Sequence, residues 1–301
     1  MNKTIVMFDM DGTLTAPRDF FNEGLLGQHL YNLTNTGVHI GIITGSDEDY
    51  LRQQMGSFIQ SSSSRYKIHL LPCNGTKYLK PPEFANQDYK LIHEVSMEQE
   101  LGTKKYRELI CELVYSQVDM CLTGAPLTGH FINYRGSTLN WCPIGRQATP
   151  SDRSSWVLWD KHGWIRNKWL KAAREEFDSS GLKNVVIKMG GDTSFDIYPK
   201  GWDKTYVLRN FCEEDVLCFV GDKCDELGND FELYNAIEDR DTGGAFKTIS
   251  TSQFSTSQSR FSNISPQFPE VFRGISQKYT KYADMEGAPW LYKTRDLWTR
   301  A

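Results

Sequence analysis

The stretch VMFDMDGTLT, residues 6–15, places two aspartates directly after an apolar run. The residues before Asp9, IVMF, are continuously apolar, which is typical of a strand buried on both faces of a parallel sheet. Carboxylates at the end of such a strand repel each other, and burying them costs free energy unless they bind a ligand or take part in a reaction. The stretch therefore predicts an α/β fold with chemistry at the carboxyl end of the first strand.

The pattern after this strand predicts a doubly wound parallel sheet. A helix is expected near 19–35, a second buried strand at 38–43 (VHIGII) and a third at 66–71 (YKIHLL). The residues GSD, with Ser46 as the N-cap, are expected to begin the helix between the second and third strands. This alternation predicts a Rossmann-like core whose functional residues follow the strands.

The pattern changes after about residue 80 and returns later in the chain. A helix near 97–117, two short strands (HFINYRG and TLNWCPI), a tryptophan-rich helix near 154–178 and two more strands indicate an α+β insertion. The apolar strand VLCFVGD (216–222) resumes the parallel pattern. We predict core segments at 1–81 and 190–254, a cap domain at 82–189 and a serine-rich tail at 255–301 that is flexible.

Asp9 and Asp11 are typical of phosphoryl transfer. An aspartate at a strand end can attack phosphorus and form an aspartyl-phosphate, and a second carboxylate can exchange a proton with the leaving or attacking oxygen. Gly12 and Thr13 suit a loop that approaches a phosphate closely. A calcium loop is the alternative, but an EF-hand has its glycine at position six and no buried strand before it. The second alternative is an ordinary turn in which D-x-D-G occurs by chance.

Further polar residues follow in an order that favours the same chemistry. Thr44 or Ser46 ends the second strand, Lys204 can supply positive charge, and GDKCDELGND offers Asp222, Asp225 and Asp230 to a metal ion. In this order the motifs resemble the haloacid dehalogenase superfamily. A purely structural role is the alternative for each residue. Ser46 and Asp230, for example, would also serve as helix N-caps.

The motifs of the inserted segment indicate a narrower family than the core motifs do. FINYRGSTLNWCPIGR, then SDR, then SFDIYPKGWDK, resemble the eukaryotic-type phosphomannomutases over about residues 4–250. The resemblance implies interconversion of mannose 6-phosphate and mannose 1-phosphate for GDP-mannose synthesis. It also implies Mg²⁺, a hexose 1,6-bisphosphate activator, a hexose phosphate substrate and a homodimer formed through the caps.

The resemblance also assigns roles to individual residues. Asp9 corresponds to the nucleophile and Asp11 to the acid/base, and the metal would be held by Asp9, Asp11, Asp222 and Asp230. The residues assigned to substrate binding are Arg18, Ser46, Arg135, Arg146, Arg153, Ser194, Asp196 and Lys204. Several guanidinium groups suit a phosphate dianion, because each can bind it through two hydrogen bonds.

Composition and charge limit the remaining possibilities. The net charge of −4 gives no basic footprint for nucleic acid, and no apolar stretch approaches the length of a membrane span. Seven cysteines without a C-x-x-C pair suit a reducing compartment, so we expect a cytoplasmic protein. Two rival functions remain: a sugar-phosphate phosphatase on the same fold, and a binding or regulatory protein that has lost catalysis.

Overall fold

The computed structural model describes residues 3–16, 18–121, 124–160, 164–226, 228–239 and 244–247. These residues divide into two units. One unit takes in the described residues up to Ile92 and those from Val207 onward, and the other is His93–Tyr206. The predicted core with an inserted cap is therefore confirmed, and each unit is described below by itself.

The first unit, the core, is built on a seven-stranded sheet. Five of its strands are linked by parallel pairs, and they are β1 (Thr4–Asp9), β2 (His39–Ile43), β3 (Ile68–Leu71), β10 (Val216–Gly221) and β11 (Gly244–Lys247). Two further strands extend the sheet beyond β3, namely β4 (Lys77–Lys80) and β5 (Lys90–Glu94). The strand order is β11-β10-β1-β2-β3-β4-β5, and β4 runs antiparallel to β3.

Alternate residues of the central strands pack into two separate apolar clusters. Val6 and Phe8 of β1 belong to the cluster that includes residues of the helices α1 (Gln28–Asn35) and α2 (Glu48–Gln60). Ile5 and Met7 belong to the other cluster, with residues of α7 (Phe231–Glu238). Because successive side chains of a strand point to opposite faces, the core has helices on both faces of its sheet.

The second unit, the cap, has a four-stranded antiparallel sheet of order β6-β7-β9-β8. Its strands are β6 (Ile132–Tyr134), β7 (Leu139–Trp141), β8 (Val185–Gly190) and β9 (Ser194–Pro199). Its helices are α3 (Met97–Leu101), α4 (Thr103–Cys121), α5 (Pro150–Asp160) and α6 (Trp164–Ser179). One apolar cluster joins α3, α4 and α6 to β7, β8 and β9.

Several predicted boundaries need correction. The division at 92/93 and 206/207 replaces our 82–189 cap, and β9, which we had placed in the second core segment, pairs with β7 and β8 of the cap sheet. The predicted helices near 97–117 and 154–178 each consist of two helices. Strands β4 and β5 were missed. The predicted tail, 255–301, lies outside the described residues.

Short helices complete the structure. A π-helical segment, Glu23–Gly27, precedes α1, and two 3₁₀ helices of the core span Ser63–Lys67 and Cys73–Gly75. A third 3₁₀ helix, Lys204–Asn210, crosses the boundary between the two units. Among the helices that the structure describes, none combines the length and the apolar character needed to cross a bilayer.

Candidate active site

Three aspartates meet at the carboxyl end of the core sheet. Asp9 ends β1, Asp222 follows β10, and Asp230 is the N-cap residue of α7. One carboxylate oxygen of each lies within 4.8 Å of the others. Strands β1 and β10 are parallel neighbours, with Phe8 beside Val220, so both strands end at the same edge. The shared edge places Asp9 and Asp222 together, while the roles of the three aspartates as metal ligands stay predictions.

Two glycines make this close approach possible. A Cβ atom on Gly12, whose φ is +96°, would collide with the Asp222 carboxylate. A Cβ atom on Gly221 would lie 2.7 Å from Asp230 Oδ2, closer than real Cβ contacts allow. The Asp230 Oδ2 atom also accepts a hydrogen bond from the Lys223 amide at 3.1 Å. Glycine is therefore needed at both positions, because any larger residue would collide with the carboxylates.

The donor set of this cluster fits a hard divalent cation. Asp9 and Asp230 are buried and Asp222 is partly buried, so their mutual repulsion is poorly screened by water. A cation relieves that repulsion, and Mg²⁺ prefers a few carboxylate oxygens together with substrate oxygens. Of the predicted metal ligands, Asp9, Asp222 and Asp230 come together; the Asp11 carboxylate is not in the cluster, and Asp225 is exposed outside it.

The Asp11 carboxylate is instead held by α2. Its Oδ1 atom accepts hydrogen bonds from Tyr50 Oη at 3.2 Å and from Gln54 Nε2 at 3.3 Å. Gln54 Nε2 also donates to Tyr50 Oη at 2.7 Å, and Gln54 Oε1 accepts from Thr15 at 3.2 Å. These contacts fix the orientation of Asp11. Sequence reasoning missed Tyr50 and Gln54, although their spacing of four places them on one helix face.

The end of β2 is organised differently from our prediction. Asp47, not Ser46, is the N-cap residue of α2, and its side chain accepts a hydrogen bond from the Tyr50 amide at 3.0 Å. The Ser46 amide donates to the buried Thr44 hydroxyl at 3.1 Å. In the neighbouring loop, the hydroxyl oxygen of buried Thr13 has no hydrogen-bond partner within the described part of the chain.

Two further basic residues, Arg18 and Lys204, are predicted to bind substrate. Arg18 is exposed on the core with a φ of +65°, and its backbone amide donates to Asp11 Oδ1 at 3.2 Å. Lys204 is buried, begins the 3₁₀ helix Lys204–Asn210 and falls in the cap by the division of the chain. Their substrate contacts stay predictions.

The predicted cap residues converge on one amide, that of Asn140 in β7. Asn140 Nδ2 donates to Asp196 Oδ1 at 2.8 Å and to Ser194 Oγ at 3.0 Å, and Asn140 Oδ1 accepts from Arg146 Nη1 at 2.8 Å. Arg135 Nη1 lies 3.8 Å from Asp196 Oδ1. The structure thus brings together Arg135, Arg146, Ser194 and Asp196, through a residue that sequence reasoning missed.

Arg153 lies in the same network. Its Nε and Nη2 atoms donate to the carbonyl oxygens of Ala148 and Arg146, each at 3.2 Å, and its Nη1 donates to Thr193 Oγ1 at 2.8 Å. Arg153 is thus linked directly to Arg146, and Arg146 is linked to Arg135 through Asn140 and Asp196. Guanidinium groups suit a phosphate dianion, and the phosphate contacts of these arginines stay predictions.

A buried ion pair supports the turn between β8 and β9. Arg166 Nε lies 2.7 Å from Asp160 Oδ2, and both side chains are almost fully buried. Arg166 Nη1 also donates to the carbonyl oxygens of Gly191 and Ser194, at 2.9 and 3.3 Å. Sequence reasoning missed this pair, because the two residues belong to separate helices, α5 and α6.

Burial also shifts the pKa of two side chains on the cap sheet, Lys188 and Tyr198. Desolvation lowers the pKa of the Lys188 ammonium, which lies directly across from Asp196 in the pairing of β8 with β9. Desolvation raises the pKa of the Tyr198 hydroxyl, with the negative charges of Asp203 and Asp196 adding to the shift.

Comparison with known proteins identifies relatives over most of the chain. The family model described as eukaryotic phosphomannomutase matches residues 26–253. A phosphomannomutase of Solanum lycopersicum is 34% identical over 233 residues, covering 77% of this chain and 85% of the relative. A phosphomannomutase of Encephalitozoon cuniculi (strain GB-M1) is 35% identical over 237 residues, with the same two coverages.

Among solved structures, the N-terminally truncated, IMP-bound IMP-nucleotidase of Plasmodium falciparum matches with a TM-score of 0.53 at 11% identity. The match covers 87% of this chain and 68% of that one. At this level of identity the likeness shows a shared fold, an α/β core with a cap, and nothing about the substrate.

Proposed function

The chain belongs to the eukaryotic phosphomannomutase family, and we propose that it interconverts mannose 6-phosphate and mannose 1-phosphate with Asp9 as its nucleophile. The observation that carries the proposal is the position of the Asp9 carboxylate at the carboxyl end of β1, beside Asp222 and Asp230. Ligands of such α/β sheets bind outside the carboxyl ends of the strands, where Asp9 lies. Asp9 is also fixed in position by the buried strand that precedes it.

In the proposed reaction a phosphoryl group moves from phosphorylated Asp9 to a hydroxyl of the bound sugar monophosphate, which forms a hexose 1,6-bisphosphate. Asp11 accepts the proton of that hydroxyl as the new phosphorus–oxygen bond forms and the bond to Asp9 breaks. The bisphosphate then reorients. An Asp9 oxygen attacks the other phosphorus, and Asp11 returns the proton to the departing sugar oxygen. Tyr50 and Gln54 keep the Asp11 carboxylate in place for both steps.

Asp9, Asp222 and Asp230 would hold Mg²⁺, which when bound neutralises phosphate charge beside the nucleophile. The unpartnered hydroxyl of Thr13 supports a ligand in the same loop, because a buried hydroxyl without a partner costs free energy unless a bound group satisfies it. A hexose 1,6-bisphosphate activator would load Asp9 with its first phosphoryl group.

The cap would bind the phosphate that does not react. Arg135, Arg146 and Arg153 would contact that phosphate, while Ser194 and Asp196 would contact the sugar. A mutase needs such a second phosphate site because its bisphosphate must bind in two orientations. Hydrolysis of a monophosphate has no such requirement, so the arginine cluster favours the mutase over the phosphatase.

Phosphorus NMR tests the proposal. Mannose 1-phosphate is incubated with enzyme, Mg²⁺ and a trace of glucose 1,6-bisphosphate, and we expect mannose 6-phosphate without inorganic phosphate. Asp9→Asn should abolish the conversion, whereas Asp225→Asn, the same change on an exposed aspartate outside the cluster, should leave it intact. Stoichiometric release of inorganic phosphate by the wild type would replace the mutase with a phosphatase.

We propose further that two copies associate through α4 of the cap. Val114, Tyr115 and Val118 are exposed by 48%, 69% and 56% on one side of this helix, while Leu109 and Leu113 are buried on the other. Neighbouring exposed apolar side chains of this kind mark association surfaces. Light scattering should give a dimer mass for the wild type and a monomer mass for Val118→Asp. Leu91→Asp, on an exposed residue of the core, should remain dimeric.

The proposed location is the cytoplasm. All seven cysteines lie within the described residues, and each is a free thiol. Free thiols, four of them buried, suit a reducing compartment, in which phosphosugar metabolism would supply the substrate.

A further inference from the structure

The turn between β8 and β9 contains a buried hydroxyl that contacts a cap arginine. Thr193 is 7% exposed, and its Oγ1 atom accepts a hydrogen bond from Arg153 Nη1 at 2.8 Å. It lies next to Ser194, the first residue of β9, whose third residue is Asp196. The hydroxyl therefore lies close in the chain to the residues proposed to contact the sugar.

Arg153 connects this turn to a different part of the cap. It also donates hydrogen bonds to the carbonyl oxygens of Ala148 and Arg146, in the loop between β7 and α5. A guanidinium has its donors in a rigid plane, so three acceptors in different directions determine its orientation. Thr193 supplies the acceptor from the β8–β9 turn, and the loop of Arg146 supplies the other two.

A second contact fixes the threonine itself. The Cys142 thiol lies 3.7 Å from both the hydroxyl and the carbonyl oxygen of Thr193. Cys142 is buried directly after β7, the strand that carries Asn140. The position of the Thr193 hydroxyl is thus set from β7 as well as from its own turn.

We propose that Thr193 is a positioning residue for sugar-phosphate binding: its hydroxyl orients the Arg153 guanidinium and ties the loop of Arg146 to the turn that leads to Ser194 and Asp196. This inference rests on the proposed function of the cap site. Without the hydroxyl, a partly buried N–H group of Arg153 loses its acceptor, and the guanidinium must rotate to find another. Substrate binding weakens as a result, while the groups at Asp9 are unchanged.

The test replaces the hydroxyl without changing the shape of the side chain. Thr193→Val should raise the KM for mannose 1-phosphate, and its Kd by calorimetry, by about 10-fold, the lower end for a hydrogen bond to a charged group. The kcat should change by less than about 3-fold. Thr193→Ser, which keeps the hydroxyl, should restore binding.

Two comparisons separate positioning from a general loss of structure. Thr103→Val makes the same change at an exposed cap threonine, at the start of α4, and the Kd should not move. In an Arg153→Met background, adding Thr193→Val should weaken binding no further. If the two effects add instead, Thr193 does not act through Arg153 and the inference is wrong.

The outcomes distinguish this inference from the proposed function. Wild-type turnover together with an unchanged Kd and KM for Thr193→Val would overturn the inference and leave the mutase intact. Conversely, a wild type that binds mannose 1-phosphate but does not isomerise it would overturn the mutase, and a weaker Kd of the variant would still support the inference. If Thr193→Val does not fold, Thr193→Ala removes the hydroxyl without adding volume, and the same expectations apply.

Discussion

Asn140 accepts a hydrogen bond from Arg146, with 2.8 Å between Asn140 Oδ1 and Arg146 Nη1. The amide nitrogen of the same side chain donates to Asp196 Oδ1 at 2.8 Å. One neutral amide thus contacts a cation and an anion at once, and it links Arg146 to Asp196.

Asn140→Asp tests this arrangement. The change keeps the acceptor for Arg146 but replaces the donor with an oxygen that repels Asp196. We expect the KM for mannose 1-phosphate to rise by about 10-fold, since a hydrogen bond to a charged group contributes about 1.5–3 kcal/mol. Steady-state kinetics measures the effect, and Asn184→Asp, the same change on an exposed cap residue, is the control. An equal KM in both variants would show that the Asn140 amide does not organise the site.

Much of the core and its site could be predicted because both depend on local pattern. Strand β1 is apolar from Ile5 to Phe8, and the strands of a parallel sheet end at one edge, which brings Asp9 and Asp222 together. Strands β4 and β5 were missed because each is short and bordered by lysine or glutamate side chains. The N-cap was off by one residue because Ser46 and Asp47 are both suitable caps.

The centre of the cap site could not be predicted, since it depends on pairing between distant segments. Asn140 lies beside Asp196 only through the antiparallel register of β7 with β9. A shift of that register by one residue would turn Asn140 to the other face of the sheet. The Arg166–Asp160 pair likewise requires two helices to pack together, and the sequence does not specify that packing.

Arg166→Met tests the structural role of this buried pair. The change keeps the side-chain volume and leaves the Asp160 carboxylate buried without its cation. We expect the free energy of unfolding from urea titration to fall by about 3–5 kcal/mol, the usual cost of breaking a buried pair. Lys104→Met, which removes an exposed pair with Glu108, should cost less than about 1 kcal/mol. Similar losses in the two variants would mean that the Arg166 pair contributes no more than a surface pair.

Tyr50→Phe tests the support of the acid/base. The hydroxyl donates to Asp11 and accepts from Gln54, so its loss frees the Asp11 carboxylate to move. We expect kcat to fall by about 10-fold with little change in KM, because the Tyr50 hydroxyl contacts Asp11, the proposed acid/base. Tyr66→Phe, on the core surface, is the matched control. A rise in KM at constant kcat would place Tyr50 in substrate binding instead.

Gly221→Ala tests the cation site without removing a carboxylate. The new methyl group would lie 2.7 Å from Asp230 Oδ2 and 2.8 Å from the Phe219 ring, so Asp230 must move. We expect the Mg²⁺ concentration for half-maximal activity to rise by about 10-fold, equivalent to about 1.4 kcal/mol of binding free energy. In Gly27→Ala, where the nearest atom is Glu23 Cβ at 3.3 Å, it should not change. An unaltered Mg²⁺ dependence in Gly221→Ala would argue against Asp230 as a ligand.

The last prediction concerns a histidine pair inside the core. His69 Nε2 lies 3.0 Å from His39 Nδ1, and His69 Nδ1 lies 2.8 Å from the Tyr78 hydroxyl. Burial, with the positive charges of His39, Lys3 and Lys80, lowers the pKa of His69 to about 3. Burial, with Lys3 and Lys67 and against Asp215, lowers the pKa of His39 to about 4. Both rings are therefore neutral in the folded protein at every pH above about 4.

Histidine in an unfolded chain has a pKa near 6.5, so below about pH 6.5 the unfolded state binds protons that the folded state does not. The free energy of unfolding must then fall as the pH is lowered from about 6.5 towards 4, and fully buried His69 contributes up to about 1.4 kcal/mol per pH unit. Urea titrations between pH 7.5 and 5 measure the slope. His69→Gln keeps polar atoms but cannot titrate, so its slope should be smaller; parallel curves for the two proteins would show that protonation of His69 is not linked to unfolding.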